Sequence, residues 1–338
     1  MTNLLNDQEG VAAIQDDIIV YGRTVEEHDA RLQKVFVTIA KSGLKLNEKK
    51  CEIRKPKICY FGNVISKEGV SPDPDKVRAI QELPAPKNVP ELRQVLGMIN
   101  YLGKFLPNLS DVISPMSESR KADSTWNWSH RQQEAFDKVK AMITTAPVLA
   151  FYDVKKPTVV SADASSYGLG GVLLQKHGEQ LRPVAFASRT LTNAEKKYAQ
   201  IEKECLASVW TCEKFSRYLC GLESFQLVTD HKPLIPLFNH QDLDRVPLRC
   251  QRLLMRMMRF RAKAQHMPGK QLVVADPLSR NPLSVPFETS DTVEEVRAYV
   301  DAAEMVRPAS PEKMERIDRK STRLNSSHEI PSRMPSSA

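Results

Sequence analysis

Apolar and polar positions repeat with two different periods along the chain, and each period predicts a kind of element. Near the N-terminus, residues 18–20 form a short apolar run that predicts a strand, and residues 32–39 repeat apolar side chains at helical spacing. Thr24 and Glu27 have the spacing of a capping box for this helix, and Gly43 marks its end. The chain therefore opens on a strand followed by an amphipathic helix.

Two further apolar segments, residues 51–53 and 58–65, predict short strands after this helix. A strand–helix–strand–strand order is typical of an α+β domain, which we place at residues 1–85. Prolines punctuate residues 72–90 and predict a stiff junction, because proline restricts the backbone and removes a hydrogen-bond donor.

A small helical region follows the junction. Asn88 and Glu91 predict the start of one helix, and Ser129 and Gln132 predict the start of another, because each pair has capping-box spacing. We assign residues 86–155 to this helical region.

A third unit, residues 156–283, mixes strand and helix patterns. Thr192 and Glu195 predict the start of a long helix that ends at Gly221. The predicted strands are 158–163, 169–176, 182–188, 225–230 and 263–266, and a basic helix is predicted at 246–261. Three antiparallel strands followed by alternating helices and strands predict an α/β unit with a five-stranded mixed sheet and flanking helices. The pattern decays over residues 284–338, where we expect a mostly disordered tail.

Composition narrows the classes of function. The 338 residues carry a net charge of +8, which favours a polyanionic partner such as nucleic acid, although a mildly basic protein without such a partner is the alternative. No apolar run approaches the roughly 20 residues that span a bilayer, and the N-terminus lacks the pattern of a secretion signal. We therefore expect an intracellular protein. The six cysteines form no Cys-x-x-Cys pair and predict buried or free thiols in a reducing compartment.

Four acids in the third unit are candidate metal ligands. Asp163 ends the first predicted strand and Asp230 ends the fourth, so the two carboxylates would lie side by side if these strands are neighbours. Glu204 lies on the long helix that crosses this sheet, and Asp276 lies near the last helix. Carboxylates gathered in this way repel one another without a cation. Two Mg²⁺ or Mn²⁺ ions would relieve the repulsion and could activate a water at a phosphodiester.

Each acid also has an ordinary explanation. Asp163 could be a turn residue, Asp230 could cap the turn before a proline, and Asp276 could be a helix cap. Glu204 could be a solvated helix residue, since charged neighbours flank it. The order of strands and helices favours the shared site over four unrelated roles.

Three glycines follow the first acid. Gly168, Gly170 and Gly171 would allow the chain to reverse and would bring bare backbone close to a ligand.

Short motifs across most of the chain resemble the polymerase polyprotein of gypsy-type LTR retrotransposons, from the end of the reverse transcriptase palm through the thumb to ribonuclease H. The matching segments are Asp16–Tyr21, Cys59–Ser66, Leu96–Tyr101, Phe105–Pro107, Asp163–Ser165, Ala185–Arg189, Glu202–Ala207, Thr229–His231, Met267–Lys270 and Ala275–Arg280. In the terms of this family, residues 1–85 resemble a truncated palm, residues 86–155 a helical thumb or connector, and residues 156–283 a ribonuclease H-like domain.

The resemblance implies roles for the acids. It makes Asp163, Glu204, Asp230 and Asp276 the metal-binding carboxylates, with Glu204 preferred to Glu202 because Leu and Ala follow it as in the family's Glu-x-x-Ala pattern. His266, ten residues before Asp276, stands where related enzymes can carry a mobile histidine that helps product release. A strand-end histidine with no role is the equal alternative.

The resemblance also implies an RNA-directed DNA polymerase. Asp16 and Asp17 resemble its acidic pair, although Ile14 replaces the usual tyrosine, and Phe61 and Gly62 lie in a hairpin that resembles the primer grip. The fingers, most of the palm and the first polymerase carboxylate lie upstream of this sequence in the family. We therefore expect no DNA synthesis from this polypeptide, and we expect the upstream polymerase segment to be a partner.

A basic helical face completes the predicted site. Arg252, Arg256 and Arg259 share one side of the predicted basic helix and suit the phosphates of an RNA–DNA hybrid, although a solvated arginine face is the alternative. Two functions follow. The first is a metal-dependent endonuclease that cleaves the RNA strand of the hybrid, and the second is a non-catalytic nucleic-acid-binding remnant of a truncated element.

Overall fold

The structure is a computed structural model that describes residues 2–5, 8–14, 17–119, 126–240 and 246–267. The predicted tail at 284–338 and the short helix expected after residue 270 lie outside the described residues. Within the described part of the chain, none of the helices combines the length and the apolar character that crossing a membrane requires.

The N-terminal part pairs a two-stranded hairpin with one long helix. Its elements are α1 (Thr2–Leu5), β1 (Val11–Ile14), β2 (Asp17–Val20) and α2 (Val25–Lys41). Strands β1 and β2 are antiparallel, and Val35 and Ile39 of α2 are buried in the same apolar cluster as Leu5 and Ala13. The predicted N-cap is confirmed, since the Thr24 hydroxyl accepts a hydrogen bond from Glu27 N, whereas the Glu27 carboxylate accepts one from Arg23 N at 2.6 Å.

Three short antiparallel strands and a helix follow. They are β3 (Lys57–Tyr60), β4 (Asn63–Ser66), β5 (Gly69–Pro72) and α3 (Pro74–Glu82). The strand predicted at 51–53 is wrong, because these residues are exposed and have no neighbouring strand. The stiff junction predicted at 72–90 contains α3, because Pro74 lies in the first turn, where a missing N–H costs nothing, and Asp73 caps it.

The described residues of the central region contain three α-helices, α4 (Val89–Tyr101), α5 (Leu109–Glu118) and α6 (His130–Thr144). The predicted helix starts are confirmed. Asn88 Oδ1 accepts a hydrogen bond from Glu91 N at 2.9 Å, and Gln132 Oε1 accepts one from Ser129 N at 3.1 Å. Helix α5 is missing from the sequence prediction, although Leu109, Val112, Ile113 and Met116 repeat at helical spacing. It is a helix that contacts the next sheet.

The C-terminal unit is built on a mixed sheet. Its elements are β6 (Thr158–Ala164), β7 (Gly168–His177), β8 (Gln180–Thr190), α7 (Gln200–Lys214), α8 (Ser216–Leu219), β9 (Phe225–Thr229), α9 (Leu234–His240), α10 (Leu248–Met257) and β10 (Ala262–His266). The strand order is β10–β9–β6–β7–β8, with β6, β7 and β8 antiparallel and with β9 parallel to both β6 and β10. The predicted five-stranded mixed sheet with flanking helices is confirmed.

The long helix predicted from Thr192 to Gly221 begins later than predicted and is interrupted at Phe215, after which α8 reaches Leu219 and Gly221 has a positive φ. Thr192 and Glu195 do form reciprocal hydrogen bonds, but they cap only a 3-10 turn at Glu195–Lys197, because the backbone becomes extended at Tyr198 (φ -67°, ψ 148°). The α-helix begins at Gln200 and ends at Lys214. The basic helix is likewise shorter than predicted and covers Leu248–Met257.

Helix α7 is the centre of the C-terminal core. Ala207, Val209 and Cys212 on this helix are fully buried in the same apolar cluster as the sheet residues Val160 and Leu227. All six cysteines are free, and those on α7 and α10 are buried, as predicted for small apolar side chains in the interior. This packing fixes how α7 crosses the sheet, and therefore where its polar residues point.

Candidate metal centre

Two acids meet at one edge of the sheet because β6 and β9 are adjacent and parallel. The last paired residues of these strands are Ser161 and Val228. Asp163 and Asp230 each lie two positions further along, so continuing the same register brings them side by side. The condition on which the sequence prediction depended, that the first and fourth strands are neighbours, is therefore met.

The third acid comes from the helix that crosses this edge. Glu204 lies on the second turn of α7, which packs against β6. One carboxylate oxygen each from Asp163, Glu204 and Asp230 lie within 4.8 Å of one another. Glu202 faces elsewhere, because its carboxylate accepts hydrogen bonds from Arg249 at 2.7 Å and from Ala199 N at 3.0 Å. The structure thus places Glu204, and not Glu202, beside the two aspartates.

The electrostatics of this trio are unfavourable without a cation. Burial raises the pKa of the Glu204 carboxyl to about 7, and the negative charge of Asp163 and then that of Asp230 act in the same direction. Asp163 keeps contact with solvent, yet the protein around it removes part of its hydration and raises its pKa, and the charge of Asp230 adds to this effect. A divalent ion would reverse this balance by favouring the ionised forms.

The hydrogen bonds of Glu204 leave room for a ligand. Gln200 Nε2 donates to Glu204 Oε1 at 2.6 Å, while Glu204 Oε2 is buried and has no hydrogen-bond partner among the described residues. A buried carboxylate oxygen without a partner is costly unless something else binds it. Three carboxylates that share one pocket, with an unsatisfied buried oxygen, fit the oxygen ligands that Mg²⁺ and Mn²⁺ prefer.

A short turn follows Asp163 and is held from outside the sheet. The Ser165 hydroxyl accepts hydrogen bonds from Tyr167 N at 3.1 Å and from Gly168 N at 2.8 Å. The same hydroxyl donates to Asp111 Oδ1 of helix α5 at 2.6 Å. The central helical region therefore reaches the residues next to the candidate ligands.

The glycines after this turn allow close packing of helices, while the approach of a ligand to their backbone stays a prediction. A Cβ atom at Gly168 would collide with Ser110 and Asp111, and one at Gly170 would collide with Asn108, all three of which belong to α5 or its N-cap. A Cβ atom at Gly171 would collide with Thr211 of α7. Bare backbone at these positions lets two helices approach the sheet closely.

Of the other residues predicted for the site, the structure describes His266 but not Asp276 or Asp16. His266 is the last residue of β10 and pairs with Thr229, so the sheet places it at the same edge as Asp230. Asp276 and Asp16 lie outside the described residues. The catalytic role of His266 and the fourth metal ligand stay predictions.

The predicted primer-grip residues lie in a hairpin turn. Phe61 and Gly62 occupy a two-residue hairpin turn, both with positive φ (49° and 61°), and Tyr101 OH donates to Phe61 O at 2.5 Å. Burial raises the pKa of the neighbouring Tyr60 hydroxyl, and the negative charge of Asp17 acts in the same direction. The nucleic-acid-binding role of Phe61 and Gly62 stays a prediction.

The predicted arginine face is partly occupied by the protein itself. Arg256 and Arg259 form ion pairs with Glu213 of α7, and Arg259 lies beyond the end of α10. Arg252 is exposed and forms no ion pair with any described residue. Of the three arginines, Arg252 is therefore the one whose charge is most available to a phosphate.

Sequence reasoning did not find Asp111, Ser165 or Gln200 as parts of this site. Gln200 carries a weak signal, since it lies one helical turn before Glu204. Asp111 carries none, because it contacts Ser165 across a separation of 54 residues that only the tertiary fold brings together.

Comparison with known proteins identifies relatives of the chain. Residues 128–227 match the family model of the RNase H-like domain found in reverse transcriptase. The chain is 37% identical over 266 residues to the retrovirus-related Pol polyprotein from transposon 297 of Drosophila melanogaster, covering 78% of this chain and 24% of that protein. It is 30% identical over 272 residues to the transposon Tf2-3 polyprotein of Schizosaccharomyces pombe, covering 80% and 20%. The chain thus spans about a quarter of the length of such relatives or less.

A solved structure shows the same fold. The foamy viral protease-reverse transcriptase in complex with RNA/DNA hybrid superposes with a TM-score of 0.67 at 21% identity, over 86% of this chain and 39% of the foamy viral chain. This likeness supports the order of elements described above.

Proposed function

Because this chain belongs to the reverse transcriptase and RNase H-like segment of retrotransposon Pol polyproteins, we propose that it is a metal-dependent ribonuclease H. The proposed reaction is endonucleolytic hydrolysis of the RNA strand in an RNA–DNA hybrid. The observation that carries the proposal is the convergence of Asp163, Glu204 and Asp230, whose oxygens lie within 4.8 Å of one another at the sheet edge.

In this proposal, side chains of the protein bind the metal ions and orient the metal ligands. Asp163, Glu204 and Asp230 would hold the divalent ions, with Asp276 as the predicted fourth ligand. When bound, such ions activate the attacking water and stabilise the leaving oxygen of the phosphodiester. Gln200 fixes the orientation of Glu204 through its 2.6 Å hydrogen bond. Since the pKa of Glu204 is raised to about 7, Glu204 would have to release a proton in a fraction of the molecules to serve as a ligand at neutral pH.

The net charge and the structural relatives support a nucleic-acid substrate. The net charge of +8 and the exposed Arg252 suit a polyanion. The foamy viral relative has been solved in complex with RNA/DNA hybrid and, in another structure, with dsDNA. A hybrid duplex offers a ribose 2′-hydroxyl beside each phosphate of one strand, which allows the RNA strand to be distinguished.

A cleavage assay on a labelled hybrid tests the proposal. We expect the full chain to cut the RNA strand with Mg²⁺ or Mn²⁺, to leave dsDNA intact, and to lose activity in EDTA. Asp163→Asn should abolish cleavage, while Asp137→Asn, at an exposed acid on α6, should not change it. Cleavage that persists in EDTA or in Asp163→Asn would refute the proposed chemistry.

The alternative function, a non-catalytic nucleic-acid-binding remnant, predicts a different result with the same labelled hybrid. Hybrid binding that is retained without cleavage under any divalent ion would favour it. The expectation that this polypeptide alone does not extend a primer also stays a prediction, and nucleotide incorporation on a primed template would overturn it.

A further inference from the structure

Helix α5 lies outside the sheet that carries the three acids, yet it contacts the turn that directly follows Asp163. The closest link is the 2.6 Å hydrogen bond that the Ser165 hydroxyl donates to Asp111 Oδ1. A second link joins the same helix to the neighbouring strand, where Ser110 N donates to the Ser188 hydroxyl of β8 at 3.0 Å. Two separate hydrogen bonds therefore fix α5 against the sheet beside the candidate metal centre.

The backbone of the sheet is shaped to receive this helix. Gly168 and Gly170 are buried on β7, and side chains from Asn108 to Asp111 occupy the space where Cβ atoms would otherwise lie. A contact that depends on two glycines in one strand requires a defined position for α5 rather than a loose approach.

Ser165 links helix α5 to the backbone near Asp163 through hydrogen bonds. Its hydroxyl accepts from the backbone N–H groups of Tyr167 and Gly168, and its own N–H donates to Gly168 O at 2.9 Å. With its hydrogen donated to Asp111, the hydroxyl oxygen is oriented to receive both backbone donors. The conformation of the turn, and with it the end of β6 from which Asp163 projects, is thus tied to a carboxylate on another region of the chain.

We infer that Asp111 is a positioning residue for the metal centre, acting through Ser165 on the backbone that carries Asp163. The importance of Asp111 for catalysis rests on the proposed function. The contact between Asp111 and Ser165 does not depend on that proposal. It makes the central helical region part of the metal centre. The same region adds a negative charge near Asp163, since the charge of Asp111 contributes to raising the pKa of that residue.

The first measurement needs no metal. Hydrogen exchange of the metal-free full chain is followed at Tyr167 and Gly168, whose N–H groups bind the Ser165 hydroxyl. We expect exchange there to become about threefold to tenfold faster in Asp111→Ala, the effect typical of losing one hydrogen bond. Asp111→Asn should stay close to the wild type, because its amide oxygen still accepts from Ser165. Asp137→Ala on α6 is the matched control and should change nothing.

The second measurement is Mn²⁺ affinity. Loss of a residue that orients a metal ligand typically weakens metal binding about tenfold or more, so we expect that loss in Asp111→Ala, with recovery in Asp111→Asn. Ser165→Ala provides the second variant if Asp111→Ala does not fold, and it should show the same two changes. Wild-type exchange and wild-type Mn²⁺ affinity in the folded variant would overturn the inference.

The two proposals fail separately. If the wild-type chain does not cleave a hybrid while Asp111→Ala still alters both exchange and Mn²⁺ binding, the ribonuclease proposal is refuted and the positioning role stands. If the wild type cleaves and Asp111→Ala matches it in exchange and Mn²⁺ affinity, only the positioning role is refuted.

Discussion

Gln200 Nε2 donates a 2.6 Å hydrogen bond to Glu204 Oε1, one helical turn further along α7. The same Gln200 amide lies 3.4 Å from Ala164 O at the end of β6. Gln200 therefore connects the helix that carries Glu204 to the strand that carries Asp163. Among the described residues, the other oxygen of Glu204 has no hydrogen-bond partner, so this oxygen is the one left for an ion.

Replacing Gln200 should weaken the metal site without removing a ligand. We expect Gln200→Ala to lower Mn²⁺ affinity about tenfold, since a ligand that loses its orienting hydrogen bond adopts more than one conformation. Calorimetric titration with Mn²⁺ measures the change, and Gln180→Ala, at an exposed position on β8, is the control. An unchanged affinity in Gln200→Ala would show that Glu204 needs no such support.

Neutralising Glu204 should stabilise the metal-free protein at high pH. The folded-state pKa of about 7 lies above the ordinary value of 4.5, so the folded state holds this proton more tightly than the unfolded state does. The stability that Glu204 contributes is therefore present at low pH and is lost as pH rises through 7. Glu204→Gln removes this loss, and we expect it to be more stable than the wild type at pH 8 by an amount on the order of 2 kcal/mol.

Urea unfolding in EDTA at pH 8 and pH 5 measures this effect. The difference between Glu204→Gln and the wild type should be much smaller at pH 5, where the folded protein keeps Glu204 neutral and pH is close to the ordinary pKa of 4.5. Glu202→Gln is a demanding control, because Glu202 binds Arg249 and Ala199 N and its loss should destabilise the protein instead. A Glu204→Gln variant that is less stable than the wild type at pH 8 would contradict the burial of an uncompensated carboxylate.

The Arg189–Glu195 pair predicts the opposite dependence on pH. Two 2.8 Å hydrogen bonds from Arg189 lower the pKa of Glu195 to about 2, from an ordinary value of 4.5. The stability gained from this pair is present above pH 4.5 and is lost as pH falls through 2. We expect Glu195→Gln to be less stable than the wild type at pH 7, with the difference closing in acid, while Glu179→Gln at an exposed turn stays neutral. Urea unfolding as a function of pH measures both, and a gap that persists below pH 2 would contradict this assignment.

Hybrid binding should distinguish the arginines of the basic helix. Arg252 is exposed, so we expect Arg252→Ala to weaken hybrid binding and to reduce the slope of log affinity against log salt by about 1. Arg256 Nε donates to Glu213 Oε1 at 2.9 Å, so Arg256→Ala should mainly destabilise the contact between α10 and α7. Fluorescence anisotropy over a salt series measures the slope. A larger loss of slope in Arg256→Ala than in Arg252→Ala would show that the Glu213 pair opens to bind phosphate.

The sequence was sufficient to predict the three acids because their positions depend on strand ends and on one helix. The runs before Asp163 and Asp230 are apolar and β-branched, and parallel neighbours of this kind bring their C-terminal ends to one edge. The residue pattern did not separate Glu204 from Glu202. That choice came from a family motif, and the structure explains it through the direction in which each side chain leaves α7.

What the sequence could not supply depends on contacts between distant segments. The capping box at Thr192 and Glu195 is real, but only a 3-10 turn follows it, and Tyr198 is extended before α7 begins at Gln200. The role of Gly168 could not be read from its own strand, because α5 supplies the side chains that fill the space. Local sequence patterns predict helices and strands well. Contacts between residues more than 50 positions apart, such as Asp111 and Ser165, leave no periodic signal in the sequence.

The convergence of Asp163, Glu204 and Asp230 on a shared ion is tested most directly by electron paramagnetic resonance of Mn²⁺ added to the metal-free full chain. We expect saturable binding to the wild type that is lost in Asp163→Asn and in Asp230→Asn and is retained in Asp137→Asn. Equal Mn²⁺ binding by the wild type and by both active-site variants would contradict a metal centre at this sheet edge.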